Sequence, residues 1–256
     1  MLDARQSQGR YTLIRDDALA TLGTSESALK KAAQRLGAKG RLAIPHRGFY
    51  VTVPLEHRLA GAPPPDWYID DLMMHLGRSY YVGLLSAAAL HGAAHQQPQE
   101  FQVVTDRQLR PMAAGRGRIR FFTRRYLATV PVMEVKTETG VMRVASPEVT
   151  ALDLLSHLDA AGQLGHVAAV LVELAPKIDP GLLLEAARRE NGLPNTQRLG
   201  YLLDLVGAGE AGARLAEWVA ERRPRYRALR PDRPSGEAQK DRRWRLLINE
   251  KIAPDA

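Results

Sequence analysis

The sequence predicts an α+β fold, and three patterns along the chain support this prediction. Residues 11–54 contain two short helical segments followed by a β-ribbon. Residues 101–144 contain apolar runs of strand length, and residues 147–222 are typical of successive helices interrupted by Pro and Gly. Strands followed by a run of helices favour an α+β arrangement over alternating α/β units.

The segment after Gly23 is predicted to be an amphipathic helix. Its apolar residues recur at the i, i+3, i+4 and i+7 spacing of a core stripe, at Leu29, Ala32, Ala33 and Leu36. Its polar residues point away from that stripe, at Ser27, Lys30, Lys31, Gln34 and Arg35. Ser25 or Thr24 is expected to cap the first free amides, and Lys39 is expected near the negative end of the helix dipole.

Arg41 to Val53 is predicted to be a β-hairpin, with His46 and Arg47 at its tip. A short helix, a turn, a second helix and a hairpin in this order indicate an N-terminal winged helix-turn-helix, which reads DNA with its second helix. The alternative is a small helical domain whose basic face is merely solvated. The coincidence of helix, turn and wing favours the DNA reader.

A Pro-rich stretch after the hairpin sets the predicted domain organisation. Residues 1–60 form the winged helix-turn-helix domain and residues 61–66 a stiff linker. A larger mixed α+β domain follows over residues 67–222, and residues 223–256 are a basic C-terminal segment, partly extended or disordered. Within the larger domain, Tyr81–His91 is predicted to be helical, and Ser146-Pro147-Glu148 to start a further helix.

Positive charge is segregated into three segments of the 256-residue chain, whose formal net charge is +8. Residues 25–50 carry +5, residues 107–125 carry +7 and residues 222–245 carry +7, so the remainder is acidic. Clustered cations suit phosphate binding, because each neutralised phosphate releases counterions. The arginines of residues 107–125 form a second DNA contact, an RNA contact or a solvated hairpin, and the sequence leaves these three alternatives open.

The pattern of reactive residues predicts a protein that is not an enzyme and holds no metal or cofactor. The chain has no cysteine, which excludes disulfides and thiolate chemistry. It shows no leader sequence and no apolar stretch of membrane-spanning length, so we expect it in the cytoplasm. The rival hypothesis is a metal-dependent nuclease that uses Asp106, Glu134 and Lys136. Alternation along an exposed strand would instead place Glu134 and Lys136 in water.

Three further segments are informative: residues 80–92 (YYVGLLSAAALHG), residues 144–155 (VASPEVTALDLL) and residues 198–203 (RLGYLL). They resemble segments of the AbiEi-type antitoxins, the transcriptional regulators of abortive-infection toxin–antitoxin operons. Together with the N-terminal reader, the resemblance covers roughly residues 10–220. The chain departs from the family where Leu13-Ile14-Arg15 replaces the Thr or Ser that often caps the first helix of the reader.

The resemblance implies a repressor that binds double-stranded DNA at an inverted repeat and silences its own operon. It also implies that the second domain counteracts a nucleotidyltransferase-like toxin, without need of a stable direct complex. The chain is expected to be a monomer in solution or to assemble cooperatively on DNA. A transcription factor unrelated to any toxin is the alternative.

The expected DNA contacts all come from the helix and the hairpin of the reader. Lys and Arg side chains are expected on phosphates, and Ser27 and Gln34 on base edges. The full predicted set is Ser25, Ser27, Lys30, Lys31, Gln34, Arg35, Lys39, Arg41, His46 and Arg47.

Overall fold

The computed structural model describes residues 2–94, 98–190 and 192–252. Over these ranges the chain is a mixed α+β protein with several sheets, which confirms the α+β prediction at this level. The described chain divides into two compact units. The first contains the chain up to Val82 together with Gln99–Ala128 and Met133–Val144, and the second contains the rest.

The N-terminal part of the first unit builds a small sheet covered by helices. Its elements are α1 (Leu2–Gln6), β1 (Thr12–Ile14), α2 (Arg15–Leu22), α3 (Glu26–Ala38), β2 (Leu42–His46) and β3 (Phe49–Thr52). The strands are antiparallel and follow the order β1-β3-β2. Ile14 is the N-cap residue of α2 and its side chain cannot cap the helix, where the resembling family often has Thr or Ser.

A compact apolar core holds α3 against this sheet. Its buried members are Leu13, Ala18, Leu29, Ala33, Leu42 and Tyr50. Leu29 and Ala33 are the buried residues of α3 itself, as the helical spacing predicted. The opposite face of α3 is therefore free to carry polar side chains.

The rest of the first unit is organised by a six-stranded mixed sheet. Its elements are α4 (Ile69–His75), β4 (Tyr80–Val82), β5 (Phe101–Thr105), β6 (Met112–Ala114), β7 (Gly117–Thr123), β8 (Val132–Lys136) and β9 (Val141–Ala145). The strand order is β6-β7-β5-β4-β9-β8. Strand β4 is antiparallel to β5 and parallel to β9, while β5 and β7 are parallel.

Two features of this sheet differ from the sequence prediction. Tyr81 and Val82 were expected in a helix but lie in the buried strand β4, and the helix begins only at Leu84. The basic segment of residues 107–125 also contains the strand β6, which no pattern in the sequence predicted. Both strands are only three residues long, too short for a pattern to reveal them.

The Pro-rich stretch of residues 61–66 is packed within the first unit. Gly115 in the β6–β7 turn approaches Gly61 so closely that a Cβ on Gly115 would lie 2.1 Å from the Ala60 carbonyl oxygen. The Arg116 amide donates to that same oxygen over 2.7 Å. The predicted division of the chain at residues 61–66 stays a prediction.

The second unit is mainly helical. Its helices are α5 (Leu84–Leu90), α6 (Pro147–Ser156), α7 (Gln163–Leu174), α8 (Pro180–Glu190), α9 (Leu193–Leu205) and α10 (Ala213–Arg222). Helix α6 is buried from Glu148 to Leu155 and contacts α5, α7, α8 and α9. Its predicted start is confirmed, since the Ser146 hydroxyl accepts from the Val149 amide.

The C-terminal part of the second unit forms a small sheet of its own. Its strands are β10 (Arg227–Ala228), β11 (Gln239–Asp241) and β12 (Leu246–Ile248), in the order β10-β12-β11. The C-terminal segment was predicted to be basic and partly extended or disordered, and the structure gives it three strands with Trp244 and Leu246 buried. Across the described residues, no helix is both long and apolar enough to cross a bilayer.

Candidate nucleic-acid interface

Helix α3 is positioned by a cap at its start and by its buried stripe. The Ser25 hydroxyl accepts a hydrogen bond from the Ala28 amide at 3.3 Å, and Lys39 is the C-cap residue. Seven predicted contact residues of α3 and its ends are exposed in the folded chain, namely Ser25, Ser27, Lys30, Lys31, Gln34, Arg35 and Lys39. The structure therefore leaves the predicted polar face open.

A groove of about 720 Å³ runs between α3 and the β2–β3 hairpin. On the helix side it is lined by Ser27, Lys30 and Gln34. The hairpin contributes Ile44, Arg47 and Tyr50, and α2 contributes Arg15. Successive residues of an α-helix are about 100° apart around its axis. Lys31 therefore lies beside Lys30, and Arg35 beside Gln34, on the side of the helix next to the groove. The predicted residues thus form two neighbouring sets, one in the groove and one beside it.

The cations of this face are uncompensated. Among the residues that the structure describes, none forms an ion pair with Lys30, Lys31, Arg35, Lys39 or Arg47. The acidic residue at the start of α3, Glu26, is neutralised by Arg15 at 3.1 Å.

Arg15 itself is held by two carboxylates. The hydrogen bond with Asp16 is the largest cause that raises the pKa of Arg15, followed by the charge of Glu26. Sequence reasoning missed Arg15 as a groove residue, because its place depends on how α2 packs beside α3.

Two predicted contact residues do not join the exposed face. Arg41 pairs with Asp3 of α1 and lines a separate pocket together with Leu2 and Leu36, on the apolar side of α3. The prediction that Arg41 belongs with the contact face is therefore not supported by its position. The pair could not be inferred from the local sequence, since Asp3 and Arg41 are 38 residues apart.

His46 packs against His75 and does not project from the hairpin tip. Its ring packs edge-on against His75 of α4, with the centroids 5.6 Å apart, and its side chain is half-buried. The Nε2 atom of His75 also lies 3.3 Å from the Arg47 carbonyl oxygen. Arg47 is exposed at the same tip, so of the two predicted tip residues it is Arg47 that projects.

The second basic segment is also exposed, at Arg107, Arg110, Arg116, Arg118, Arg120 and Arg125. Arg120 is partly engaged, with Glu100 at 3.5 Å and with the Phe122 ring at 5.1 Å. The three alternatives for this segment remain as the sequence left them.

The predicted nuclease residues are not brought together. Asp106 follows β5, while Glu134 and Lys136 lie on β8, three strand positions away. Strands are spaced by about 4.8 Å, so the lateral separation is about 14 Å. Asp106 faces Arg78 at 3.9 Å, and Glu134 and Lys136 are exposed. Over the described ranges, no group of three or more His, Cys, Asp or Glu side chains is placed to hold a metal ion.

Comparison with known proteins adds two findings. Residues 81–205 match the family model described as the AbiEi antitoxin C-terminal domain. The crystal structure of the RV2827C protein from Mycobacterium tuberculosis is similar in fold, with a TM-score of 0.71 and 15% identity, covering 96% of this chain and 88% of that one. No curated protein matches the chain.

Proposed function

Because residues 81–205 match the family model of the AbiEi antitoxin C-terminal domain, we propose that this chain is a DNA-binding antitoxin that represses its own operon. The antitoxin role follows from the matched domain. The DNA-binding role is supported by residues that precede that domain. The two roles therefore need separate support and separate tests.

The proposed reader is a winged helix-turn-helix made of α2, α3 and the β2–β3 hairpin. The observation that carries this proposal is the face of α3, where exposed cations without ion pairs lie beside the groove and the Arg47 tip. A helix with one buried stripe and one free cationic face is suited to the major groove. Lys30, Lys31 and Arg35 hold phosphates, and Arg47 meets the flanking backbone or minor groove.

Ser27 and Gln34 are the proposed base readers. Both line the groove beside the hairpin, and Gln is able to bond the N6 and N7 edge of adenine. Ser25 and Lys39 lie at the two ends of the helix and contact the backbone. A single short reading helix has a small footprint, so the proposed operator is an inverted repeat that takes two copies cooperatively.

The proposed target of the antitoxin domain is a nucleotidyltransferase-like toxin, which the protein counteracts without a stable complex. No residue of the matched segment is assigned to this step. Support would come from an adjacent gene for such a toxin and from co-expression that restores growth. Growth arrest that persists in the presence of the intact chain would contradict the antitoxin role.

The DNA-binding role is tested with DNA from upstream of the chain's own gene. Lys30, Lys31 and Arg35 are replaced together by Ala, and affinity is measured across a salt series. Each lost phosphate contact lowers the salt slope by about 0.9, so we expect a fall of up to about 2.7. The control is Arg188→Ala, which removes an exposed cation from α8. An equal slope change per removed charge in the control would show unspecific attraction and contradict the assigned face.

Base reading is tested separately by Gln34→Ala. This variant should lose discrimination among operators that differ at one base pair, by about 1–3 kcal/mol at the affected position. The slope against salt should stay unchanged, since Gln34 carries no charge. A uniform loss on all sequences would count against Gln34 as a base reader.

A further inference from the structure

Strand β8 forms one edge of the six-stranded sheet, and over the described residues no further strand pairs with it. The strand at the opposite edge, β6, lies against β2. In β8 the side chains are largely exposed, including Val132 at 41% and Met133 at 47%. An uncovered edge strand presents unpaired amides and carbonyls, so it is a template for pairing with another strand.

The turn that joins β8 to β9 shows which backbone groups of β8 point outward. The Thr137 amide donates to the Gly140 carbonyl at 2.9 Å, so the backbone groups of Thr137 face β9. Successive residues of an antiparallel strand alternate in this respect. The backbone groups of Glu134 and Lys136 therefore face away from β9, toward the uncovered edge.

The side chains at these two positions carry opposite charges. Both are exposed, and among the residues that the structure describes neither has an ion-pair partner. When two copies of β8 pair antiparallel about a twofold axis at Val135, Glu134 of each copy lies opposite Lys136 of the other. Registers centred on Glu134 or on Lys136 would place like charges directly opposite, which destabilises a sheet. Among registers centred on a residue of β8, only the one at Val135 pairs opposite charges.

We propose that two copies of this chain associate through β8, which joins their six-stranded sheets into one continuous sheet. The occupant of the free edge is thus a second copy of the same strand, selected by its alternating Glu and Lys. Each copy contributes only five residues, fewer than the roughly 20–30 a side of a standard interface. We therefore expect the free dimer to be weak.

The symmetry of this contact matches that of the proposed operator. Residues from Met133 to Val144 belong to the first unit, which also contains α3. A twofold axis at β8 therefore relates two copies of the unit that carries α3, as an inverted repeat requires. Neighbouring half-sites would raise the effective concentration of the two copies and strengthen a weak contact. This use of the contact rests on the proposed DNA-binding role, whereas the contact itself does not.

Disulfide cross-linking tests the contact, because the chain has no cysteine of its own. Val135→Cys places both thiols at the axis, in a pair whose Cα atoms are about 4.5 Å apart, which suits a disulfide. The control is Val141→Cys on β9, at a side chain that is 45% exposed. In the joined sheet two such residues are separated by about 14 Å, or three strand spacings, which is too far for a disulfide.

The expected result is a difference in rate between the two cysteine variants. With oxidised glutathione as the oxidant and no DNA present, Val135→Cys should form disulfide dimers at least about tenfold faster than Val141→Cys. Equal rates in the two variants would show random collision and overturn the proposal.

The register is tested by charge reversal in the Val135→Cys background. Glu134→Lys alone and Lys136→Glu alone each turn two attractive pairs into two repulsive ones, so each should slow cross-linking about tenfold. The variant with both exchanges places Lys opposite Glu again and should regain the original rate. A mixture of the two single variants should form mixed dimers in preference to dimers of either one. Unchanged rates in the single variants, or a mixture without this preference, would overturn the assigned register.

A second pair of positions makes the test independent of Val135, which is half-buried. In the same register Met133 of one copy lies opposite Thr137 of the other, so Met133→Cys chains mixed with Thr137→Cys chains should form mixed disulfides. Neither variant should cross-link by itself, because its two cysteines are offset by four residues, or about 14 Å. Absence of the mixed product would overturn the contact.

These measurements separate the β8 contact from the proposed function, because no DNA is present in them. A chain that cross-links as expected but does not bind DNA from upstream of its own gene would contradict the DNA-binding role and support the contact. A chain that binds this DNA but does not cross-link would overturn the contact and leave the DNA-binding role standing.

Discussion

Replacing Gly115 by Ala should destabilise the first unit far more than an ordinary surface substitution. Gly115 has φ +55°, and its added Cβ would meet three backbone atoms at 2.1, 2.6 and 2.7 Å, which belong to Ala60, Gly61 and Ala62. Backbone atoms cannot rotate away as a side chain does. The β6–β7 turn and the chain before the prolines must therefore separate.

Three contributions determine the size of the effect. Left-handed backbone costs Ala about 1 kcal/mol, and forced overpacking costs about 1–3 kcal/mol. Separation also weakens the 2.7 Å bond from the Arg116 amide to Ala60, which is worth about 1 kcal/mol. The expected loss is about 3–5 kcal/mol, a large share of the roughly 5–15 kcal/mol that stabilises a typical protein.

Gly77→Ala is the matched control, since Gly77 has φ +62° and open space where its Cβ would be. It isolates the backbone contribution of about 1 kcal/mol. Urea unfolding of both variants gives the difference that belongs to the close approach. Equal midpoints for the two variants would refute the reasoning.

Two further predictions concern a helix start and a half-buried carboxyl. Ser146→Ala removes a hydroxyl that accepts from Val149 and donates to Glu148 at 2.7 Å, so it should cost about 1–2 kcal/mol in thermal unfolding. Ser146→Thr should recover most of that loss, and no loss in the Ala variant would contradict the cap. Burial raises the pKa of Asp66, so the folded state holds this proton more tightly than the unfolded state. The stability linked to the proton is present at low pH and lost as pH rises through the folded pKa. Asp66→Asn should therefore stabilise the protein at about pH 7 but not at about pH 3, and a pH-independent difference would contradict the assignment.

Helix α3 and its hairpin could be predicted because the information is local. The stripe at Leu29 and Ala33 and the hydroxyl of Ser25 lie within one turn or two of the helix they define. The structure places each of them as the spacing indicated. Helix α6 was predictable for the same reason, from Ser146 and the residues that directly follow it.

Strand β4 could not be predicted, because a central strand lacks the alternation that marks a half-exposed one. Tyr80, Tyr81 and Val82 are all buried and run directly into an Ala-rich helix. A continuous apolar run is equally compatible with both structures. The extended backbone at Gly83 makes the break between them.

The surroundings of single side chains were also beyond local reasoning. Arg41 is turned away from the contact face by Asp3, and His46 is half-buried by His75. The packing of the Trp244 ring depends on the absence of a side chain at Gly200, which lies 44 positions earlier in the chain. Such partners are chosen by tertiary packing, which periodicity along one segment does not encode.

The first unit is assembled from three separate segments of the chain, and this has a consequence for synthesis of the protein. The six-stranded sheet of this unit takes its last strand from residues up to Ala145, so more than half of the chain must leave the ribosome before the sheet is complete. At roughly 5–20 residues per second, that takes about 7–30 seconds. Helix α3 emerges early, yet the unit that carries it matures only once translation has passed that strand.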